Sequence, residues 1–245
     1  MRTLKLTLAY DGTNYVGWQR QDNGVSIQQV VEEVFATLVG GEAPTVAGAS
    51  RTDAGAHALG QVASVSVDLD LPVVAVQRAM NTRLPADIRV VSVEDAPPGF
   101  HARASSLAKA YRYRIATASV LSPFDRGFVW HHPIPIDVEP MRAAAGTLVG
   151  RHDFASFQAA GTSVRATVRT IHRLTIDSSP AELVVAVEGN GFLRHMVRAI
   201  VGTLAAIGTG ARPASAMRDI LDARDRRAAG ATAPACGLTL VAVRY

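Results

Sequence analysis

The chain has 245 residues, 48% of them hydrophobic and 19% charged, which suffices for one large domain or two ordinary ones and argues against disorder. Its single cysteine, Cys236, excludes a disulfide framework and any multi-cysteine zinc site, and it fits a reducing cytoplasm. The formal net charge is +4, no apolar run approaches the ~20 residues that span a membrane, and we expect no signal peptide because the N-terminus lacks an apolar core.

The first half of the chain predicts strands and helices in the order β-α-β-β-α-β. Alternating apolar residues predict a strand at residues 3–10. A capping box at Ser26 and Gln29 predicts the start of a helix, which Gly40 and Gly41 end. The elements predicted after it are strands at 45–49 and 61–67, a helix opened by Pro72, and a strand at 88–93.

The second half predicts the same order with one extra helix. Its predicted elements are a strand at 109–118 with an extension at 128–131, a helix from Asp137 to about Leu148, paired strands at 170–177 and 182–187, helices at 192–207 and 213–221, and a strand at 238–245. The predicted fold class is therefore α+β. We expect two ferredoxin-like (split βαβ) domains, residues 1–106 and 107–245, whose antiparallel sheets flank a central active-site cleft.

A loop between two predicted strands carries four consecutive polar side chains, residues 50–53. The small residues at 54–56 let a large ligand approach the backbone beside Asp53. Arg51 lies two positions away and favours the ionised form of this carboxylate. An accessible ionised carboxylate can act as a nucleophile or a base. The alternative interpretation is that Asp53 only caps a turn, which its neighbours also predict.

The basic side chains are consistent with a nucleic-acid partner. Arginine outnumbers lysine by 23 to 2, and its planar fork binds phosphate bidentately, although a GC-rich genome would give the same bias. In a strand, Tyr111 and Tyr113 share one face while Arg112 and Arg114 share the other, which would suit base stacking and phosphate binding. The alternative is that both tyrosines belong to the core.

The predicted helix at 192–207 places Arg194 and Arg198 one turn apart on one face. These cations could reach a buried carboxylate or an RNA phosphate, or they could snorkel at the edge of a core helix. No spacing typical of a metal site, a P-loop or a dinucleotide-binding motif occurs. Turns at Asp11 and Asp53 leave a carboxylate-dyad hydrolase as an alternative, which requires these side chains to be adjacent.

Residues 48–57 closely resemble the catalytic motif of the TruA family of tRNA pseudouridine synthases. The resemblance covers essentially all 245 residues. Further segments that resemble family motifs are residues 10–21, 81–85, 100–103, 111–113, 152–157, 195–198 and 237–238. The chain departs from the family pattern at Ala56, where many members have valine, and at Ala110, where a further basic residue is common.

The resemblance implies isomerisation of uridine to pseudouridine at positions 38, 39 and 40 of the tRNA anticodon stem-loop, without a cofactor or a metal. It implies that Asp53 is the nucleophile, attacking C1′ of the ribose or C6 of the uracil after the base leaves the stack. Tyr111 would stack on or bond the flipped uridine. Arg198 would pair with Asp53, and Arg51 would contact Asp53 or a phosphate.

Further RNA contacts are predicted at Trp18, Arg20, His57, Arg103 and Lys109. Members of the family are homodimers, so the resemblance also implies a homodimer that binds tRNA. We expect a cytoplasmic protein from its cysteine content and no membrane contact from the lack of a long apolar run. The alternative function is a non-catalytic tRNA-binding chaperone of the same fold. Such a chaperone would not need the combination of Asp53, Arg51 and Arg198.

Overall fold

The computed structural model describes residues 1–162 and 164–245. They form two compact units, residues 1–107 with 239–245, and residues 108–238. The division after residue 107 lies one residue from the predicted boundary, but the last strand differs from the prediction. Strand β10 (Leu238–Arg244) pairs in parallel with β3 (His57–Val67) and therefore completes the first unit, not the second.

The first unit contains a mostly antiparallel sheet. Strand β1 (Arg2–Tyr10) pairs on one side with β4 (Ile88–Asp95) and on the other with β3, both antiparallel. The short β2 (Ala47–Gly48) pairs with the edge of β3 that β1 leaves open, and β10 joins the same edge. These strands confirm the predicted ones, except that β3 begins four residues before its predicted start at residue 61.

Helix α1 (Ile27–Val39) begins and ends where local signals predict it. Ser26 Oγ accepts a hydrogen bond from Gln29 N at 3.2 Å, which satisfies an amide at the helix start. The reciprocal half of the predicted capping box is replaced, because the Gln29 side chain donates to Glu33 at 2.8 Å. Gly40 ends the helix with φ of 68°, a conformation that favours glycine. Helix α2 (Val73–Arg83) follows Pro72.

In the second unit the strand order is β5-β9-β8-β7, with antiparallel pairing throughout this path. The bounds are β5 Ala108–Ala116, β6 Trp130–His131, β7 Gly150–Asp153, β8 Val168–Ser178 and β9 Glu182–Gly189. Strand β6 pairs with β5 in parallel, as the predicted extension of that sheet, whereas β7 was not predicted.

The helices of the second unit are α3 (Val138–Gly146), α4 (Met196–Gly208) and α5 (Ala216–Ala223). Helix α4 begins four residues later than predicted, because His195 has a left-handed backbone with φ of 61°. The carbonyl of Arg194 accepts from Ala159 N at 3.0 Å and takes no part in the helix. The prediction that Arg194 and Arg198 lie one turn apart on a helix is therefore wrong.

The described residues thus combine five α-helices with mostly antiparallel strand pairing, which confirms the mixed helix and sheet class. Among the helices of residues 1–162 and 164–245, none has the length and apolar character needed to cross a membrane.

Candidate active site

The loop that carries Asp53 leaves the sheet of the first unit between two strands that pair with the same edge of β3, namely β2 and β10. Strand β2 pairs with β3 at Ala63 and Ser64, and Ala49 N continues this contact by donating to Val62 O at 2.7 Å. Strand β10 pairs with the same edge only from Ala58 backwards. The loop at 50–56 therefore starts where the pairing of β2 with β3 ends, next to the residues of β3 that pair with β10.

Thr52, the residue before Asp53, is held from two directions. Its Oγ1 lies 2.8 Å from Tyr10 OH in a buried hydrogen bond between the two hydroxyls. Its carbonyl accepts from Trp18 N at 3.2 Å. Both contacts come from β1 and the segment that follows it, so the backbone at Asp53 is positioned by the N-terminal part of the chain.

The backbone after Asp53 forms a tight turn. Asp53 O accepts from Ala56 N at 3.1 Å, and Gly55 has φ of 76°, which suits glycine. Gly55 N also donates to Tyr15 O at 3.3 Å. The turn expected from the sequence is therefore present, but the Asp53 side chain remains partly exposed.

Two glycines permit the close approach of residues 12–17 to this loop. A Cβ atom on Gly12 would lie 1.9 Å from Ala56 O, and one on Gly17 would lie 2.5 Å from Thr52 O. Gly17 also has a backbone φ of 101°, a value that residues other than glycine rarely adopt. The N-terminal segment and the Asp53 loop thus pack backbone against backbone.

Asp11 and His57 lie beside this packing. Asp11 Oδ1 accepts from Thr13 N at 3.0 Å and from Thr13 Oγ1 at 2.6 Å, so the carboxylate closes its own turn. His57 Nδ1 accepts from Gly12 N at 3.1 Å and also lies 3.1 Å from Asp11 Oδ1. Gly12 N and Asp11 Oδ1 thus both lie within hydrogen-bonding distance of the same ring nitrogen.

In the second unit, Tyr111 and Tyr113 have different environments although they share one face of β5. Tyr111 is 5% exposed and its ring meets Phe192 edge-on, with centroids 5.2 Å apart. Tyr113 is fully buried, its hydroxyl donates to Pro234 O at 2.6 Å, and burial raises its pKa above the ordinary value. Both tyrosines are therefore buried in the core, as the alternative interpretation predicts.

The arginines of the second unit also separate into different roles. Arg198 lies in the first turn of α4, is partly buried, and donates from Nε to Ala233 O at 2.7 Å. On the opposite face of β5 from the tyrosines, Arg114 donates to Glu182, and this hydrogen bond raises the Arg114 pKa. Arg114 is thus engaged by a carboxylate rather than presented to a phosphate.

The five predicted RNA contacts differ in accessibility. Trp18 is 2% exposed and His57 is 3% exposed. Lys109 is also buried. Arg20 is exposed but pairs with Glu32 at 3.0 Å.

Arg103 and Arg51 are exposed cations. Within the part of the chain that the structure describes, no group of three His, Cys, Asp or Glu side chains could hold a metal ion.

Comparison of the sequence with known proteins identifies the family to which the chain belongs. The chain matches the family model described as tRNA pseudouridine synthase over residues 7–103 and 144–245. Proteins named tRNA pseudouridine synthase A are similar over the whole chain: that of Syntrophotalea carbinolica is 46% identical, covering 100% of this chain and 97% of the relative. The Thermoanaerobacter sp. (strain X514) protein is 42% identical with 100% of both chains covered. The Myxococcus xanthus protein is 45% identical, covering 100% of this chain and 92% of the relative.

Proposed function

Because this chain belongs to the tRNA pseudouridine synthase family, we propose that it converts uridine to pseudouridine at positions 38, 39 and 40 of the tRNA anticodon stem-loop. The observation that carries this proposal is the construction of the Asp53 loop. A partly exposed carboxylate follows a threonine held by Tyr10 and Trp18 and precedes a closed turn. Such anchoring presents a single acid in a fixed orientation, which a nucleophile requires.

The proposed reaction exchanges one bond to the ribose for another. The target uridine leaves the stack, and Asp53 attacks either C1′ of the ribose or C6 of the uracil. The bond between N1 and C1′ breaks, the uracil turns, and C5 bonds to C1′. C5 loses its proton and N1, freed from the ribose, gains one, so the product is an isomer of the substrate and the carboxylate is regenerated.

We assign supporting roles to three further side chains. Tyr111 stacks on or bonds the flipped uridine, and its hydroxyl assists removal of the C5 proton. Arg198 supplies a fixed positive charge, since its Nε is held by Ala233 O at 2.7 Å. Arg51, which is exposed next to the loop, contacts a phosphate of the RNA.

The proposal extends to architecture and location. We propose a split βαβ arrangement for each unit, supported in the first by the order of β4, β1, β3 and β2 across its sheet. We also propose that the active form is a homodimer that binds tRNA, as the family resemblance implies, and that it is cytoplasmic, as its single cysteine indicates. Sedimentation of the purified protein, with and without tRNA, tests the dimer.

The two alternative functions receive less support. A carboxylate-dyad hydrolase needs a second available acid, whereas Asp11 already accepts two hydrogen bonds from Thr13. A non-catalytic tRNA-binding chaperone would bind through basic surface alone and would not require an anchored acid. Family membership at 46% identity over the full chain favours the enzyme over both.

A tritium-release assay tests the proposed function. In tRNA labelled at uridine C5, formation of the new bond at C5 frees the label to water. We expect release by the wild-type protein and no release by Asp53→Asn. Tight tRNA binding without release by the wild type would instead identify the chaperone.

A further inference from the structure

Gln61 is a fully buried polar side chain at the edge of β3 where the Asp53 loop departs. Its Nε2 donates to Ser50 O at 2.6 Å, and Ser50 N donates to its Oε1 at 3.3 Å. The side-chain amide therefore bonds both backbone groups of one loop residue. In an antiparallel sheet, a residue of the neighbouring strand would form this pair of hydrogen bonds with Ser50; here the side chain of Gln61 forms them.

The contact between Gln61 and Ser50 extends the backbone hydrogen bonds that join residues 47–49 to β3. Ala49 N donates to Val62 O at 2.7 Å, after which the loop turns away from β3. Gln61 reaches one residue further along the loop and holds Ser50, three residues before Asp53. Thr52 is held separately by Tyr10. The chain before Asp53 is thus held at two residues, Ser50 by the Gln61 side chain and Thr52 by the Tyr10 side chain.

The neighbouring residue, Gly60, shows how little of this edge is open to the loop. A Cβ atom on Gly60 would lie 2.4 Å from Val241 O, so β10 passes very close to β3 at this point. The edge beyond Gln61 is therefore occupied by β10, and Gln61 marks the last position at which the loop can be attached. A one-residue slip would remove both hydrogen bonds to Ser50.

We propose that Gln61 is a positioning residue for the reaction: its side-chain amide fixes Ser50 and thereby sets the position of Asp53 relative to the target uridine. This inference rests on the proposed function of Asp53 as the nucleophile. Gln61 does not touch the substrate, since it is fully buried. Its effect should therefore appear in the chemical step and not in tRNA affinity, because small misplacements of reacting groups reduce rates steeply.

The test compares two substitutions with a matched control. Gln61→Met keeps the size of the side chain and removes both hydrogen bonds. Gln61→Glu keeps the acceptor for Ser50 N but places an oxygen against Ser50 O. The control is Gln77→Met, because Gln77 is also a glutamine of the first unit whose Nε2 donates to a backbone carbonyl, that of Val91, at 2.7 Å.

The measurements are the single-turnover rate of tritium release and the dissociation constant for the same tRNA. We expect both Gln61 variants to lower the rate by on the order of 10- to 100-fold while the dissociation constant stays within about twofold of wild type. Gln77→Met should change neither value. The wild-type rate tests the proposed function separately, since its absence would remove that function whatever the variants do.

Three results would overturn the positioning role. The first is a wild-type rate in folded Gln61→Met and Gln61→Glu. The second is a loss of tRNA affinity that accounts for the loss of rate. The third is failure of both variants to fold while Gln77→Met folds, which would make Gln61 a residue of stability alone.

Discussion

The hydroxyl of Tyr10 lies 2.8 Å from the hydroxyl of Thr52, although 42 positions separate the two residues in the chain. This buried hydrogen bond joins the end of β1 to the residue immediately before Asp53. A neutral hydrogen bond contributes about 1 kcal/mol to stability, and this one also holds the residue that precedes Asp53. The segment at 10–18 therefore supports the loop at 50–56, and we expect changes in either to affect the reaction.

Asp53→Asn should abolish isomerisation and leave tRNA binding within about twofold of wild type, because binding is distributed over many phosphate contacts. The amide keeps the size of the carboxylate but is not a nucleophile. Tritium release and filter binding measure the two effects. Asp70→Asn, on the exposed surface, is the control and should behave as wild type. Loss of binding together with activity would show that Asp53 has a structural role instead.

Tyr111→Phe should lower the isomerisation rate more than the affinity. The ring that meets Phe192 edge-on at 5.2 Å is kept, so the packing and the stacking face survive while the hydroxyl is lost. Single-turnover rates and dissociation constants on the same tRNA separate these effects. An unchanged rate would remove the hydroxyl from the proposed chemistry.

Tyr113→Phe should reduce stability rather than rate, because the lost hydroxyl donates to Pro234 O in the core. We expect a decrease of about 1 kcal/mol in the free energy of unfolding at neutral pH. Urea unfolding measures this value. An effect on single-turnover rate larger than that of Tyr111→Phe would contradict the division of roles between the two tyrosines.

Stability should also fall at alkaline pH. Burial raises the pKa of Tyr113, so the folded state keeps the phenolic proton at a pH where the unfolded chain loses it. The stabilisation is therefore complete below about pH 10, the ordinary pKa of tyrosine, and decreases as the pH rises above that value. Urea unfolding between about pH 8 and about pH 11 should show a shallower decline for Tyr113→Phe than for wild type. Equal slopes would assign the decline to other groups.

Gly12→Ala should damage the Asp53 loop, because the new methyl group would lie 1.9 Å from Ala56 O. We expect a loss of about 1–3 kcal/mol in stability and a reduced isomerisation rate. Gly146→Ala is the matched control, since a Cβ atom at Gly146 meets nothing within 4 Å and helix α3 favours alanine. Thermal unfolding and tritium release on both variants check this. Normal activity in Gly12→Ala would show that the two backbones need not pack so closely.

Arg51→Ala should weaken tRNA binding and reduce the slope of log affinity against log salt by about 1, as expected for one lost phosphate contact. The control Arg83→Ala removes an exposed arginine whose guanidinium donates to Ala79 O at the end of α2. Binding titrations at several salt concentrations give both slopes. A slope unchanged by Arg51→Ala would leave the arginine without a phosphate to contact.

Local signals were sufficient where a structure depends on neighbouring residues. Ser26 and Gly40 delimit α1 because a cap and a left-handed glycine are properties of the chain itself. The Asp53 loop was recognisable for the same reason. The start of α4 was not, because the left-handed backbone of His195 interrupts a segment whose apolar pattern continues through it.

Features that depend on distant residues could not be predicted. Trp18 is predicted as an RNA contact, and the structure adds that its indole packs against Gly48, where a Cβ atom would lie 2.3 Å from Nε1. The sequence carries one signal for the role of Gln61, an amide among the apolar residues of β3. Its partner Ser50 is set by tertiary structure. The pairing of β10 with β3 is likewise a choice among several available strand edges.

The return of β10 to the first unit has a consequence for synthesis on the ribosome. Residues 1–107 emerge early, but the strand that pairs with His57 and Ala58 is made only after the whole second unit. During that interval this edge of β3 offers unsatisfied backbone groups to any extended segment nearby. Maturation of the nascent enzyme should therefore wait for residues 239 and 240, and deletion of β10 should reduce the yield of active protein.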